Sequence, residues 1–235
     1  MATGGTSSST TTSEGSGCAP SATAAGGAGG SPPDPPAPCP FASGGGTNLQ
    51  ALLDHFASGR RGAEVVLVVS DREDAGALRR ARDGGVKAHV IPFAGRPVAA
   101  VTADTLDALE SARADIVALA GFLRLVPVEV VRRFAGRTVN VHPALLPAFG
   151  GKGMYGARVH EAVLAAGARV SGATVHLVNE RYDEGRILAQ WPVPVLDGDS
   201  PATLAARVLR VEHALYPAAI EWLARVVAAA RGEGD

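Results

Sequence analysis

Asn140 and His142 stand two residues apart in Thr138-Val139-Asn140-Val141-His142-Pro143, and alternation along a strand turns both side chains to one face. An amide and an imidazole held side by side can donate hydrogen bonds to a developing negative charge or move a proton. Pro143 biases His142, and Pro147 biases Leu146, towards extended backbone, which stiffens the turn that follows. Spacing alone leaves a second account open, a hydrogen-bonded core histidine beside a turn asparagine. Asp183, in Asp183-Glu184-Gly185, is the third candidate, and a plain loop-turn role is its alternative.

A second kind of chemistry is suggested by Ser43-Gly44-Gly45-Gly46-Thr47-Asn48, which runs into a helical pattern carrying Leu49, Leu52, Leu53 and Phe56. Free amides and the dipole at such a helix start favour an anion such as a phosphate, although a flexible linker end fits the glycines equally well. Covalent and metal chemistry find less support. Cys18 and Cys39 offer neither a disulfide framework nor zinc spacing, no strand-turn-helix serine elbow is evident, and the six histidines are dispersed. No covalent nucleophile and no metal are therefore expected.

The 22 Lys and Arg nearly cancel the 23 Asp and Glu, so no overall basic surface argues for nucleic acid, and a small-molecule partner is favoured. Apolar runs such as Val65 to Val69 are too short to cross a bilayer, and no Lys or Arg precedes Arg60. Two cysteines without a disulfide framework fit a reducing cytoplasm, so a cytoplasmic protein without a membrane partner, a monomer or a homodimer, is expected.

The elements that must position these residues read as α/β. Val65–Ser70, Ala88–Pro92, Ile116–Ala120, Thr138–Val141, Ala173–Val178 and Ile187–Val195 have strand character; Ala75–Arg82, Thr105–Ala112 and Val128–Phe134 have helical character. The alternation predicts a Rossmann-like, mostly parallel sheet flanked by helices. A long helix opens at Ser200-Pro201, with a break expected at Pro217. Residues 1–40 are Gly, Ser, Thr, Ala and Pro with almost no large apolar side chains and predict a disordered tail, leaving 41–235 as one catalytic domain. The four prolines of Pro35-Pro36-Ala37-Pro38-Cys39-Pro40-Phe41 argue against a central strand there.

Over roughly Ala42 to Leu223 the chain resembles the phosphoribosylglycinamide formyltransferase family. The matching motifs are Ser43 to Gln50, Ala120-Gly121-Phe122-Leu123-Arg124, Asn140 to Pro147, and Asp183-Glu184-Gly185 with Ile187 and Gln190. The resemblance implies transfer of a formyl group from 10-formyltetrahydrofolate, the co-substrate, to glycinamide ribonucleotide, with Asn140, His142 and Asp183 catalytic. On that footing Asn140 and a protonated His142 stabilise the oxyanion, and Asp183 charges the imidazole and holds a relaying water. The ribonucleotide falls to Gly46, Thr47, Asn48 and Glu212, and the folate to Arg96, Leu123, Arg124, Leu125, Val126 and Asn140. Gly151-Lys152-Gly153-Met154-Tyr155-Gly156 with Val159-His160 favours this acceptor over those of related enzymes. A non-catalytic folate-binding paralogue, its phosphate site damaged by the proline-rich first strand, is the other expectation.

Overall fold

The computed structural model describes residues 34–57 and 62–232. They form one compact unit around a seven-stranded sheet of order β3-β2-β1-β4-β5-β6-β7. The strands are β1 (Pro38–Phe41), β2 (Leu67–Ser70), β3 (Lys87–Val90), β4 (Ile116–Leu119), β5 (Thr138–His142), β6 (Val170–Leu177) and β7 (Ile187–Pro194). β1 to β5 run parallel, and β6 and β7 are antiparallel additions. The helices are α1 (Thr47–Phe56), α2 (Gly76–Asp83), α3 (Val98–Ser111), α4 (Val128–Arg133), α5 (Ala157–Ala165) and α6 (Pro201–Gly232). No described helix is long and apolar enough to cross a membrane.

Of the expected tail, residues 1–33 lie outside the described residues, whereas Pro38 to Pro40 stand inside the sheet. The proline-rich segment is a central strand after all, and alternation explains how. Ala42 N–H donates to the Val69 carbonyl, and Val66 N–H donates to the Pro38 carbonyl, so the backbone groups of even-numbered residues face β2. Odd-numbered residues face β4, where the Phe41 carbonyl accepts from Ala120 N–H. Pro36, Pro38 and Pro40 therefore place their missing donors on the β2 side, Pro35 lies ahead of the strand, and the register with β4 is complete from Pro38↔Ile116 to Phe41↔Leu119. The weaker side keeps only Phe41↔Val69 as a paired position. A proline excludes itself from a ladder only where its N–H is wanted.

Two apolar layers enclose the sheet. Leu49, Leu52, Val68, Val139, Leu204, Tyr216 and Ile220 pack on one side, and Cys39, Phe41, Val69, Leu109, Val117 and Val130 on the other. Alternation in β1 explains why Cys39 and Phe41 share a face. α6 runs unbroken through Pro217, contrary to the expected interruption. Immediately before it, the buried Tyr216 hydroxyl lies within hydrogen-bonding distance of the Leu119 and Val139 carbonyls, at 3.0 and 3.3 Å, and docks this stretch on β4 and β5. α3 begins about two turns ahead of the expected Thr105, at Val98, directly after its N-cap Pro97.

Candidate active site

The antiparallel register of β5 and β6 sets Asn140 opposite His176 and His142 opposite Thr174. Asn140 Nδ2 donates to His176 Nε2 at 3.1 Å, while His176 Nδ1 donates to the Leu177 carbonyl at 2.9 Å. The Leu177 carbonyl can only accept, so it keeps a proton on His176 Nδ1. The Thr174 hydroxyl donates to the Ala144 carbonyl and accepts from Leu146 N–H, so it clamps the turn after His142. Gln190 completes the clamp by donating to the Leu146 carbonyl.

Asp183 reaches the same point from the β6–β7 loop. Its backbone is left-handed at φ 56°, a conformation that aspartate tolerates better than most residues. Gly185 makes this close approach possible, because a Cβ there would collide with the Leu177 carbonyl. Asp183 Oδ2 accepts Gly151 N–H at 2.9 Å and lies 3.5 Å from His142 Nδ1, and Oδ1 lies 3.5 Å from His176 Nε2. Burial pushes the Asp183 carboxyl up, yet His176, His142 and the Gly151 amide together hold it below its ordinary value.

His142 donates from Nε2 to the Phe149 carbonyl at 2.8 Å. Burial lowers its pKa and outweighs the opposing pull of Asp183 and the Phe149 carbonyl. Burial and the Asp183 carboxylate thus act on this imidazole in opposite directions, burial the more strongly.

The cluster opens into a cleft of about 850 Å³. Leu123, Arg124, Leu125, Val126 and Asn140 line it, and Leu123 and Leu125 are 59% and 53% exposed, unlike core residues. Asn48 and Glu212 lie at the same cleft, joined by an Nδ2-to-Oε2 hydrogen bond of 2.6 Å that ties α1 to α6. Burial raises the Glu212 pKa against the opposing effect of Asn48. Asn48 Oδ1 and His160 Nδ1 are buried polar atoms with no partner among the described residues, which suits a site that takes a polar ligand.

Residues 39–220 match the formyl transferase family model. The chain belongs to the formyl transferase family. It is 49% identical to the Arabidopsis thaliana protein named phosphoribosylglycinamide formyltransferase, chloroplastic, over 75% of this chain and 61% of that one. It thus spans about 60% of the length of the plant relatives. Against the Escherichia coli K12 phosphoribosylglycinamide formyltransferase, identity is 37% over 77% of this chain and 84% of the other. The solved glycinamide ribonucleotide transformylase 1 of Symbiobacterium toebii superposes with a TM-score of 0.76 at 41% identity, covering 82% and 89% of the two chains.

Within this member of the family, the remaining candidates divide. Gly46 forms the left-handed N-cap of α1, at φ 74°, where an added Cβ would come within 2.8 Å of Ala77 Cα. No side-chain cap hydrogen bond closes the start of this helix. The triple-glycine loop is anchored, since the Gly44 carbonyl accepts Ala77 N–H and the Gly45 carbonyl accepts Arg80 Nε. Thr47 faces a separate hollow beside Arg80 and His213. Arg96 is not brought to the main cleft: it pairs with Asp104 at 2.8 Å and lines a neighbouring cavity of about 320 Å³ that shares Leu125 and Val126 with the cleft. Sequence reasoning missed His176 as part of this site, and took His160 only as part of a motif that favours the acceptor. Period-two alternation through Ala173–Val178 marks His176 as strand-borne, but only the β5–β6 register reveals its partner.

Proposed function

We propose that this chain transfers the formyl group of 10-formyltetrahydrofolate to the amine of glycinamide ribonucleotide, within one catalytic unit that takes in β1 from Pro38 and runs through α6. The observation that carries the reading is the joined Asn140–His176–Asp183–His142 cluster at the mouth of a largely apolar cleft. A flat pterin suits the Leu123 to Val126 wall, and the ribonucleotide suits the opposite side, with phosphate on the amides of Gly46, Thr47 and Asn48 and ribose hydroxyls on Glu212.

The amine attacks the formyl carbon, and the carbonyl oxygen gains negative charge. One Asn140 N–H is engaged by His176, which leaves the second to donate to that oxygen. The attacking nitrogen must lose a proton. Neutral His142 accepts it at Nδ1 through a water, and the imidazolium so formed is paired with the Asp183 carboxylate 3.5 Å away. The same proton then returns to the folate nitrogen as the carbon–nitrogen bond breaks, releasing tetrahydrofolate and the formylated amide. Asp183 thus stabilises a charge that appears only during the reaction.

Gly151, Gly153, Met154, Tyr155 and His160 border the cleft beside this cluster and support the glycinamide acceptor. A cytoplasmic location goes with the reading on cysteine usage, while the Arabidopsis relative is named chloroplastic. The test is a formyl-transfer assay on the purified chain with both substrates, following loss of the formyl folate. Turnover is expected; a folded protein that binds a folate analogue without turnover would overturn the proposal.

A further inference from the structure

The cleft wall from Gly121 to Val126 follows β4, yet one of its tethers comes from beyond the adjacent strand. Arg124 Nε donates to Asp71 Oδ2 at 2.8 Å, and Asp71 lies just after β2. β1 lies between β2 and β4, so this ion pair spans the end of β1, where the glycine-rich loop begins. The Asp71 side chain is 2% exposed, whereas Arg124 is 47% exposed and lines the cleft. The second carboxylate oxygen, Oδ1, is buried with no partner among the described residues. A carboxylate buried for packing alone would have both oxygens satisfied, or would be replaced by an apolar side chain of similar size. Here one oxygen is left unpaired and the other serves Arg124. A second, neutral tether holds the same wall, with Leu123 N–H donating to Ser43 Oγ at 3.0 Å.

We infer that Asp71 is a positioning residue for the folate: by holding Arg124 across the end of β1, it fixes the wall from Gly121 to Val126 in the shape that receives the pterin. The inference rests on the proposed function. Asp71 touches neither the Asn140 cluster nor the Asn48–Glu212 pair among the described hydrogen bonds, so its loss should act on one substrate alone.

Arg124→Ala would strand a buried carboxylate, so the informative variants are Asp71→Ala, Asp71→Asn and the double variant Asp71→Ala/Arg124→Ala. Asp71→Ala should raise KM for 10-formyltetrahydrofolate about tenfold, the value of one charge-assisted hydrogen bond, with kcat and KM for the ribonucleotide within about twofold of the parent. Asp71→Asn, which keeps an acceptor, should recover part of the loss, and the double variant should be no worse than Asp71→Ala. An unchanged folate KM, or a parallel fall in every parameter with melting temperature, would overturn the inference and leave the proposed activity standing. Should the parent chain show no turnover, the Kd of a stable folate analogue for parent and Asp71→Ala decides instead: a tenfold difference supports the inference, equal values overturn it, and failure of the parent to bind overturns both readings.

Discussion

β1 and the β5–β6 junction meet backbone rules in opposite ways. β1 carries two prolines in four residues and still pairs along its whole length with β4, because both missing donors fall on its other side. At the β5–β6 junction the constraint lies in single groups: Asn140 and His176 share a hydrogen bond, and Asp183 brings its two oxygens within 3.5 Å of His142 and His176. A strand is specified by which side its hydrogen bonds face, whereas the polar cluster is specified group by group.

The largest effect should come from the cluster. Asp183→Asn keeps the shape and removes the charge that stabilises the imidazolium, so kcat/KM should fall about a thousandfold with melting temperature little changed. Steady-state kinetics beside a thermal melt checks this, and a loss under tenfold would place Asp183 outside the chemistry. Close behind is Cys39→Pro, which moves a proline to the β4-facing side of β1. Unlike Pro38 and Pro40, it should destabilise the fold by about 3 kcal/mol, read by denaturant unfolding. An equal tolerance at both kinds of position would remove the distinction drawn between the two sides of β1.

The pH profile gives an intermediate effect. Folding lowers the His142 pKa below its ordinary value of 6.5, so in that window the unfolded chain binds more protons. Stability from this group is fully present above 6.5 and is lost as pH falls from there through the lowered folded value. Asp183 adds a loss of the same sign at lower pH, below 3.8. Because the neutral imidazole accepts the proton, kcat/KM should stay level at and above 6.5 and decline only as pH falls through the lowered folded value. Activity that instead falls as pH rises through this range would mean that the charged imidazole is the working form.

The comparison also separates what could be read from residues alone. Alternation placed Asn140 and His142 on one face, and hydrophobic period placed the later strands to within a few residues, because both signals are local. The pairing of Asn140 with His176 was not legible, since it depends on the register of two antiparallel strands 36 positions apart. How strongly folding desolvates His142 was not legible for a related reason: the sequence shows a carboxylate that can come near, but not how much water folding removes. Proline counting misled at β1 because it ignored parity, the one property that decides whether a proline interrupts a ladder.

Pro40→Val should have the smallest effect, and it probes that parity directly. The backbone nitrogen of residue 40 faces β2, one two-residue step from Ala42, whose N–H donates to the Val69 carbonyl. By the same step a valine N–H would face the carbonyl of Leu67 and could extend the β1–β2 ladder beyond its single paired position, Phe41↔Val69. That gain, about 1 kcal/mol for a hydrogen bond, is opposed by the greater freedom of valine over proline in the unfolded chain, about 0.4–1 kcal/mol. The net change in unfolding free energy should therefore stay within about 1 kcal/mol of zero. Chemical denaturation of Pro40→Val beside Cys39→Pro sets the two sides of one strand against each other. A loss at Pro40 as large as that at Cys39 would mean that the proline rings are held by packing, and that the missing donors are incidental to how β1 is built.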